Sequence, residues 1–198
     1  MTTTIPTPLF THRIADDAVL VPRTAAISDA YHELVTSNQE RLARWERWAL
    51  EPLTPDGTRN HLVAAGQGWL EGSELPVAIA VLVADEWRLA GSVGLKIDRS
   101  RRTGDLGYWV DGAFEGRGLV TMAASAILDQ AFGPLALDKV TLHTEVANDR
   151  SRTLARRLGF TEEGELREAI PFPDRRRNVV VYGLLAPEWR RRTAHPTR

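Results

Sequence analysis

Asn148-Asp149-Arg150-Ser151, closed by Leu158-Gly159-Phe160 and Glu163-Gly164, decides the fold together with an earlier stretch, Glu115-Gly116-Arg117-Gly118-Leu119-Val120-Thr121. The later stretch reads as a short capped helix ending on a glycine. Asn148 or Asp149 supplies the cap oxygen, while Leu154, Ala155 and Leu158 face inward. Gly159 suits the left-handed position after the helix, with Phe160 packing behind it. Ser151 is not needed for any of this, and a second cap is its plain reading. The earlier stretch reads as a glycine-bracketed turn that opens a helix.

A pyrophosphate needs several donors converging on its oxygens with little side-chain bulk nearby. A turn running into a helix N-terminus supplies them, because the first backbone N–H groups lack helical acceptors and the dipole is positive there. Gly116 and Gly118 permit close backbone approach, Arg117 adds charge, and Thr121 adds a hydroxyl one turn in. A plain strand-to-helix turn with two glycines is the alternative, since short glycine motifs are common.

Outward from these stretches the chain alternates strands and helices. Strands are expected over 19–23, 75–85, 87–97, 105–110, 139–146, 160–168 and 178–185, with a tight Asp-Glu turn joining the second and third. Helices are expected over 28–50, 58–70 and 117–132, and from Asn148 to Leu158. In 117–132, Leu119, Met122, Ala123, Ala126, Ile127 and Ala131 share one face. The pattern predicts a mixed three-layer α/β domain over 13–190. Residues 1–12, with five Thr and two Pro, form an arm or edge, and 191–198 form a basic tail.

Bulk properties narrow the function. A chain of 198 residues suits one sizeable domain. The formal charge of −1 and a pI near 6.5 give no basic nucleic-acid footprint. Zero Cys excludes disulfides, thiolate nucleophiles and Cys-based metal sites. The five His show no metal spacing, so no metal is expected. Without a long apolar run or a charged start before an apolar core, a cytoplasmic protein with no membrane partner is expected.

Taken together, these stretches resemble the GCN5-related N-acetyltransferase (GNAT) superfamily, in its RimJ/RimL-type branch of ribosomal-protein N-terminal acetyltransferases. The match is carried by Leu106-Gly107-Tyr108-Trp109-Val110, Glu115 to Thr121, Asn148 to Ser151, Leu158-Gly159-Phe160, Glu163-Gly164-Glu165-Leu166-Arg167 and Tyr182-Gly183-Leu184-Leu185. Ser37-Asn38-Gln39-Glu40-Arg41-Leu42 to Trp48 also matches. The resemblance implies a mostly antiparallel sheet of seven strands, splayed between the fourth and fifth, with acyl-CoA in the wedge. Trp109 and Val110 would pair with pantetheine and thioester, residues 115–121 would hold the pyrophosphate, Asn148 would bond the pantetheine arm, and Ser151 would sit near the sulfur. It implies a direct transfer of acetyl from acetyl-CoA to a primary amine of a protein N-terminus, a peptide or a small molecule. Relatives are often homodimers. Succinyl-CoA as donor, a non-catalytic acyl-CoA sensor and a ribosome-binding accessory protein are the competing readings.

Aminolysis of a thioester needs a neutral amine, a donor to the carbonyl oxygen and a proton for the departing thiolate. A backbone N–H of the fourth strand serves the carbonyl, and Ser151 serves the thiolate by analogy with the family. The base is open. The RimL-like pattern has a glutamate nineteen residues after the serine, where this chain has Ile170. Glu168, two residues back and on the same face of an extended strand, is one candidate. Glu145, acting through a water, is another, with His143 beside it on the same face. An α-amine has a pKa of about 8, so an ordered water alone is a further alternative. Trp45 and Trp48, with Trp69, either wall an acceptor pocket or belong to the core. Arg175-Arg176-Arg177 either clamps an anion or is a solvated loop.

Overall fold

The computed structural model describes residues 4–5 and 11–194. Its strands are β1 (Thr4–Ile5), β2 (His12–Ala15), β3 (Ala18–Pro22), β4 (Glu74–Val83), β5 (Glu86–Asp98), β6 (Thr103–Val110), β7 (Lys139–Glu145), β8 (Thr161–Pro171) and β9 (Arg176–Leu185). Its α-helices are α1 (Ser28–Ser37), α2 (Gln39–Leu42), α3 (Pro55–Glu71), α4 (Leu119–Phe132), α5 (Asp149–Leu158) and α6 (Ala186–Ala194). The strand order is β2-β3-β4-β5-β6-β7-β9-β8, with β1 on β5. All the pairings described are antiparallel save β6–β7. Two compact units share these elements, Met1–Gly94 with Tyr108–Ala124 and Leu95–Gly107 with Ser125–Arg198.

In the first unit β3 pairs with β4 from Ala18↔Val81 to Pro22↔Val77. Val19, Val21, Ala78, Ala80 and Leu89 build a core with Tyr31, Leu34 and Val35 of α1 and Leu62 of α3. Both faces of these strands are buried, which is why they read as unbroken apolar runs. Helix α3 carries its own boundaries. The Thr54 hydroxyl accepts from Gly57 N at 3.1 Å, Pro55 occupies the first turn, and Gly72 ends the helix at φ 69°.

Several expectations are corrected here. The sheet has nine strands rather than seven, because the half-exposed His12–Ala15 adds to β3 and Thr4–Ile5 adds to β5, without an apolar pattern to announce either. The rest of the expected arm, save Thr11 and His12, lies outside the described residues. The helix expected over 28–50 breaks at Asn38, whose buried amide donates to Leu34 O at 3.0 Å and so terminates α1. The β4–β5 turn falls on Ala84 and Asp85, both at positive φ, one residue ahead of the expected Asp-Glu pair. Residues 191–194 belong to α6, while 195–198 lie outside the described residues. No described helix is long and apolar enough to cross a membrane.

In the second unit β9 is paired on both sides. Lys139↔Leu185 through Glu145↔Val179 joins it to β7, and β8 forms a hairpin with it. Tyr182, fully buried, accepts from Arg152 Nε at 3.3 Å and donates to Glu162 Oε2 at 3.1 Å. Helix α6 is anchored by buried Trp189, whose indole N–H donates to Asp129 Oδ1 at 2.8 Å. The β6–β7 ladder is parallel and short, running from Thr103↔Lys139 to Asp105↔Thr141.

Candidate functional site

The residues singled out by the sequence fall in both units. In the first, β6 ends on Trp109 and Val110. The Trp109 ring meets Tyr31 edge to face, with centroids 6.2 Å apart. Gly91 of β5 lies so close that a Cβ there would stand 2.5 Å from Trp109 O. A short 3-10 turn, Gly112–Phe114, follows, with the Asp111 carboxylate accepting from Ala113 N at 3.0 Å.

Gly116 and Gly118 come next, at φ 78° and 73°, a backbone region that favours glycine. Both are exposed, and no atom lies within 4 Å of where a Cβ would stand. Leu119, buried, roots the first turn of α4. Met122 N donates to Gly118 O at 3.0 Å, so the N–H groups of Leu119, Val120 and Thr121 precede the first helical bond. This is a donor cluster beside open space, the arrangement an anion needs. Arg117 pairs with Asp17 at 2.5 Å and lies over the Phe114 ring at 5.6 Å. Glu115 is bonded to the guanidinium of Arg41.

Arg41 and Asn38 were not recognised as site residues from the sequence, although the stretch Ser37 to Leu42 carried them. Asn38 Oδ1 accepts from Arg41 Nη1 at 2.8 Å and from Gly112 N at 3.3 Å. Arg41 Nη1 also reaches Val110 O at 3.5 Å. Helix α2 is thereby tied to the turn that leaves β6. The tie was invisible as a contact because 74 residues separate Arg41 from Glu115.

In the second unit, Asn148 caps α5 by accepting from Ser151 N at 3.1 Å, and Ser151 lies half-buried in the first turn. Gly159 adopts φ 94°, with Phe160 N donating to Ala155 O at 3.0 Å, so both glycine and Phe160 serve the helix end as expected. Thus Asn148 and Ser151 stand together, joined by the cap.

The candidate bases fare differently. Glu145 is buried and its Oε1 is held by Arg177 Nη1 at 2.7 Å. Accepting a proton would break that ion pair, so a base role for Glu145 conflicts with its setting. Burial works against the Arg177 charge, but its bonds to Glu145 and Asp174 prevail and raise its pKa above the ordinary value. Its guanidinium also stacks on Phe172 at 3.6 Å. Arg177 is therefore neither an anion clamp nor a solvated loop residue. His143 pairs with Asp105 at 2.8 Å rather than with Glu145, and that bond lifts its pKa, against a smaller opposing effect of burial.

Glu168 is displaced from the face expected of it. The β8–β9 register slips between Leu166 and Ile170, and Glu168 turns to φ 50°. Its N–H donates to Asn178 Oδ1 at 2.8 Å and its carbonyl accepts from Arg176 Nε at 2.7 Å. These reaching side chains stabilise a bulge, which ends the alternation that would have put Glu168 and Ile170 on one face.

Trp45 and Trp48, 37% and 45% exposed, belong to the surface of the segment after α2 rather than to the core. Trp69 of α3 is also exposed. The Trp48 indole N–H donates to Glu46 Oε2 at 3.1 Å.

Residues 19–161 match the acetyltransferase (GNAT) domain family. The chain is 32% identical over 158 residues, 79% of its length, to 85% of YdaF of Bacillus subtilis (strain 168), provisionally named a ribosomal N-acetyltransferase. It is 24% identical over 155 residues, 78% of its length, to 84% of the ribosomal-protein-serine acetyltransferase of Escherichia coli (strain K12). Its fold superposes with a TM-score of 0.83 on RimL, the ribosomal L7/L12 alpha-N-protein acetyltransferase solved with coenzyme A, at 21% identity, covering 89% of this chain and 98% of that one.

Proposed function

As the chain belongs to the GNAT acetyltransferase family, we propose that it moves an acetyl group from acetyl-CoA to the α-amine of a protein N-terminus, with a ribosomal protein as the acceptor class. One catalytic domain over 13–190 carries this reading. The observation that supports it most is the Gly116–Thr121 turn, with two left-handed glycines, open space beside them and N–H groups ahead of the first helical bond. A diphosphate is the group that such a turn suits. The names of YdaF and of the Escherichia coli enzyme suggest the acceptor.

In the reaction the neutral amine attacks the thioester carbon, the C–N bond forms and the C–S bond breaks. The nitrogen gives up a proton and the coenzyme thiolate takes one. A backbone N–H at the end of β6 stabilises the carbonyl oxygen as charge develops on it. Ser151 is assigned the proton to the thiolate. With Glu145 engaged by Arg177 and the backbone of Glu168 set in a bulge, an ordered water is assigned the proton of the amine.

Calorimetric titration with acetyl-CoA, followed by mass spectrometry of peptides incubated with it, tests the proposal. Micromolar binding and a gain of one acetyl on the N-terminal residue are expected. Absence of acetyl-CoA binding would overturn it.

A further inference from the structure

We propose that Glu46, which follows Trp45 in the chain and accepts from the Trp48 indole, is the docking point for the primary ammonium group of the acceptor. This rests on the acetyl-transfer reading and supplies its acceptor side. Glu46 lies four residues beyond the end of α2, with its N–H donating to Leu42 O at 2.7 Å. The Gln39 side chain donates to Ala49 O at 3.1 Å and Glu51 O at 2.9 Å, closing the segment from its far end. The carboxylate is thus carried on a fixed platform and not on a loose loop. That platform is tied to the end of β6 by the bonds of Asn38 and Arg41 to Gly112 and Val110, and Val110 is where the thioester is assigned.

The carboxylate itself is arranged for a cation. Oε2 is held by the Trp48 indole, whereas Oε1 has no hydrogen-bond partner among the described residues. Arg44, the near cation on the preceding turn, is turned toward Glu40 at 3.5 Å. Glu46 is half-buried, and desolvation lifts its carboxyl above the ordinary value while the Trp48 bond opposes the rise. A desolvated carboxylate gains from an incoming ammonium more than a hydrated one does. Trp45 and Trp48 are both exposed on the same segment, so indole surface is accessible next to Glu46 in the chain. No sequence pattern announces the role, since a glutamate between two tryptophans reads as surface charge.

The test uses the full chain with a tripeptide amide bearing a free α-ammonium and with the same peptide N-formylated. Tryptophan fluorescence follows peptide binding, and calorimetry follows free coenzyme A. In the parent protein the free peptide is expected to bind and the formylated one to bind about ten-fold more weakly. Glu46→Gln, close in shape, should erase that difference and leave coenzyme affinity unchanged. Trp48→Phe, with one indole donor removed, should weaken the free peptide by a smaller factor. Equal binding of the two peptides to the parent protein, or an unaltered difference in Glu46→Gln, would overturn the proposal. Loss of coenzyme binding in the parent protein would instead sink the reading of the Gly116–Thr121 turn, while the peptide titration still judges Glu46.

Discussion

Gly118 at the head of α4 and Gly159 at the foot of α5 share a positive φ, 73° and 94°, but their surroundings differ. No atom lies within 4 Å of a Cβ built on Gly118, whereas one on Gly159 would meet Arg192 Cδ at 3.4 Å. Gly159 is explained by its helix: it lets α5 end and frees Phe160 N to bond Ala155 O. Gly118 faces open space at a helix start, where the remaining consequence of its conformation is to aim N–H groups outward. Glycine at a helix end is a folding device, and glycine at an open helix start is a candidate binding device.

The comparison can be broken most decisively at a third glycine. Gly91 has no positive φ and is packed against the backbone of β6. Gly91→Ala sets a Cβ 2.5 Å from Trp109 O, and we expect it to cost about 1–3 kcal/mol of stability by forcing the strands apart. Chemical denaturation measures this, and calorimetry should find acetyl-CoA binding weakened as well. A variant as stable as the parent would mean that the packing there yields freely.

Gly118→Ala and Gly159→Ala form the sharper pair. Each pays the left-handed penalty of about 1–2 kcal/mol in stability. Only Gly118→Ala should also weaken acetyl-CoA, by about ten-fold or more, since a methyl group then stands where phosphate oxygens approach the backbone. Equal coenzyme affinities in the two variants would remove the distinction between them.

Asn148→Ala removes the cap of α5, with a loss of about 1 kcal/mol read from the unfolding midpoint. Any fall in acetyl-CoA affinity beyond that seen for Gly159→Ala assigns Asn148 a second task. The smallest effect concerns pH. Asp105 raises the His143 pKa in the folded state, so the pair's stabilisation is present below the unfolded histidine value of about 6.5 and fades as pH rises through the raised folded value. Both groups are about half exposed, which limits the effect to less than about 1 kcal/mol. Asp105→Asn should lower the melting temperature at pH 5.5 and leave it nearly unchanged at pH 9.

What the sequence made legible was local. Asn148 and Gly159 bound α5, and the spacing of Leu119, Ala123 and Ile127 marks the inner face of α4, whereas α3 starts at Pro55 under the Thr54 cap, three residues ahead of the expected Thr58. What it hid was set by partners distant in the chain. The bulge at Glu168 depends on Asn178 and Arg176 from the next strand, and the ion pair that engages Glu145 comes from Arg177. Asn38 interrupts a helical pattern that looks continuous, because its amide satisfies the Leu34 carbonyl and its oxygen is drawn to Gly112. The proposed coenzyme turn was visible in its glycines, and Trp45 and Trp48 stood out as candidates for an acceptor pocket, whereas Glu46 did not, since it gains its character from burial and from an indole two residues on.

The first compact unit is discontinuous, with Tyr108–Ala124 returning to complete what Met1–Gly94 begins. During synthesis, β3, β4 and most of β5 therefore emerge before β6 and the start of α4 are available. At ordinary elongation rates that interval is on the order of seconds. Through it the core built by β3, β4, α1 and α3 lacks Trp109, which packs against it once the unit is whole, and the yield of folded protein should respond to translation speed across residues 95–124.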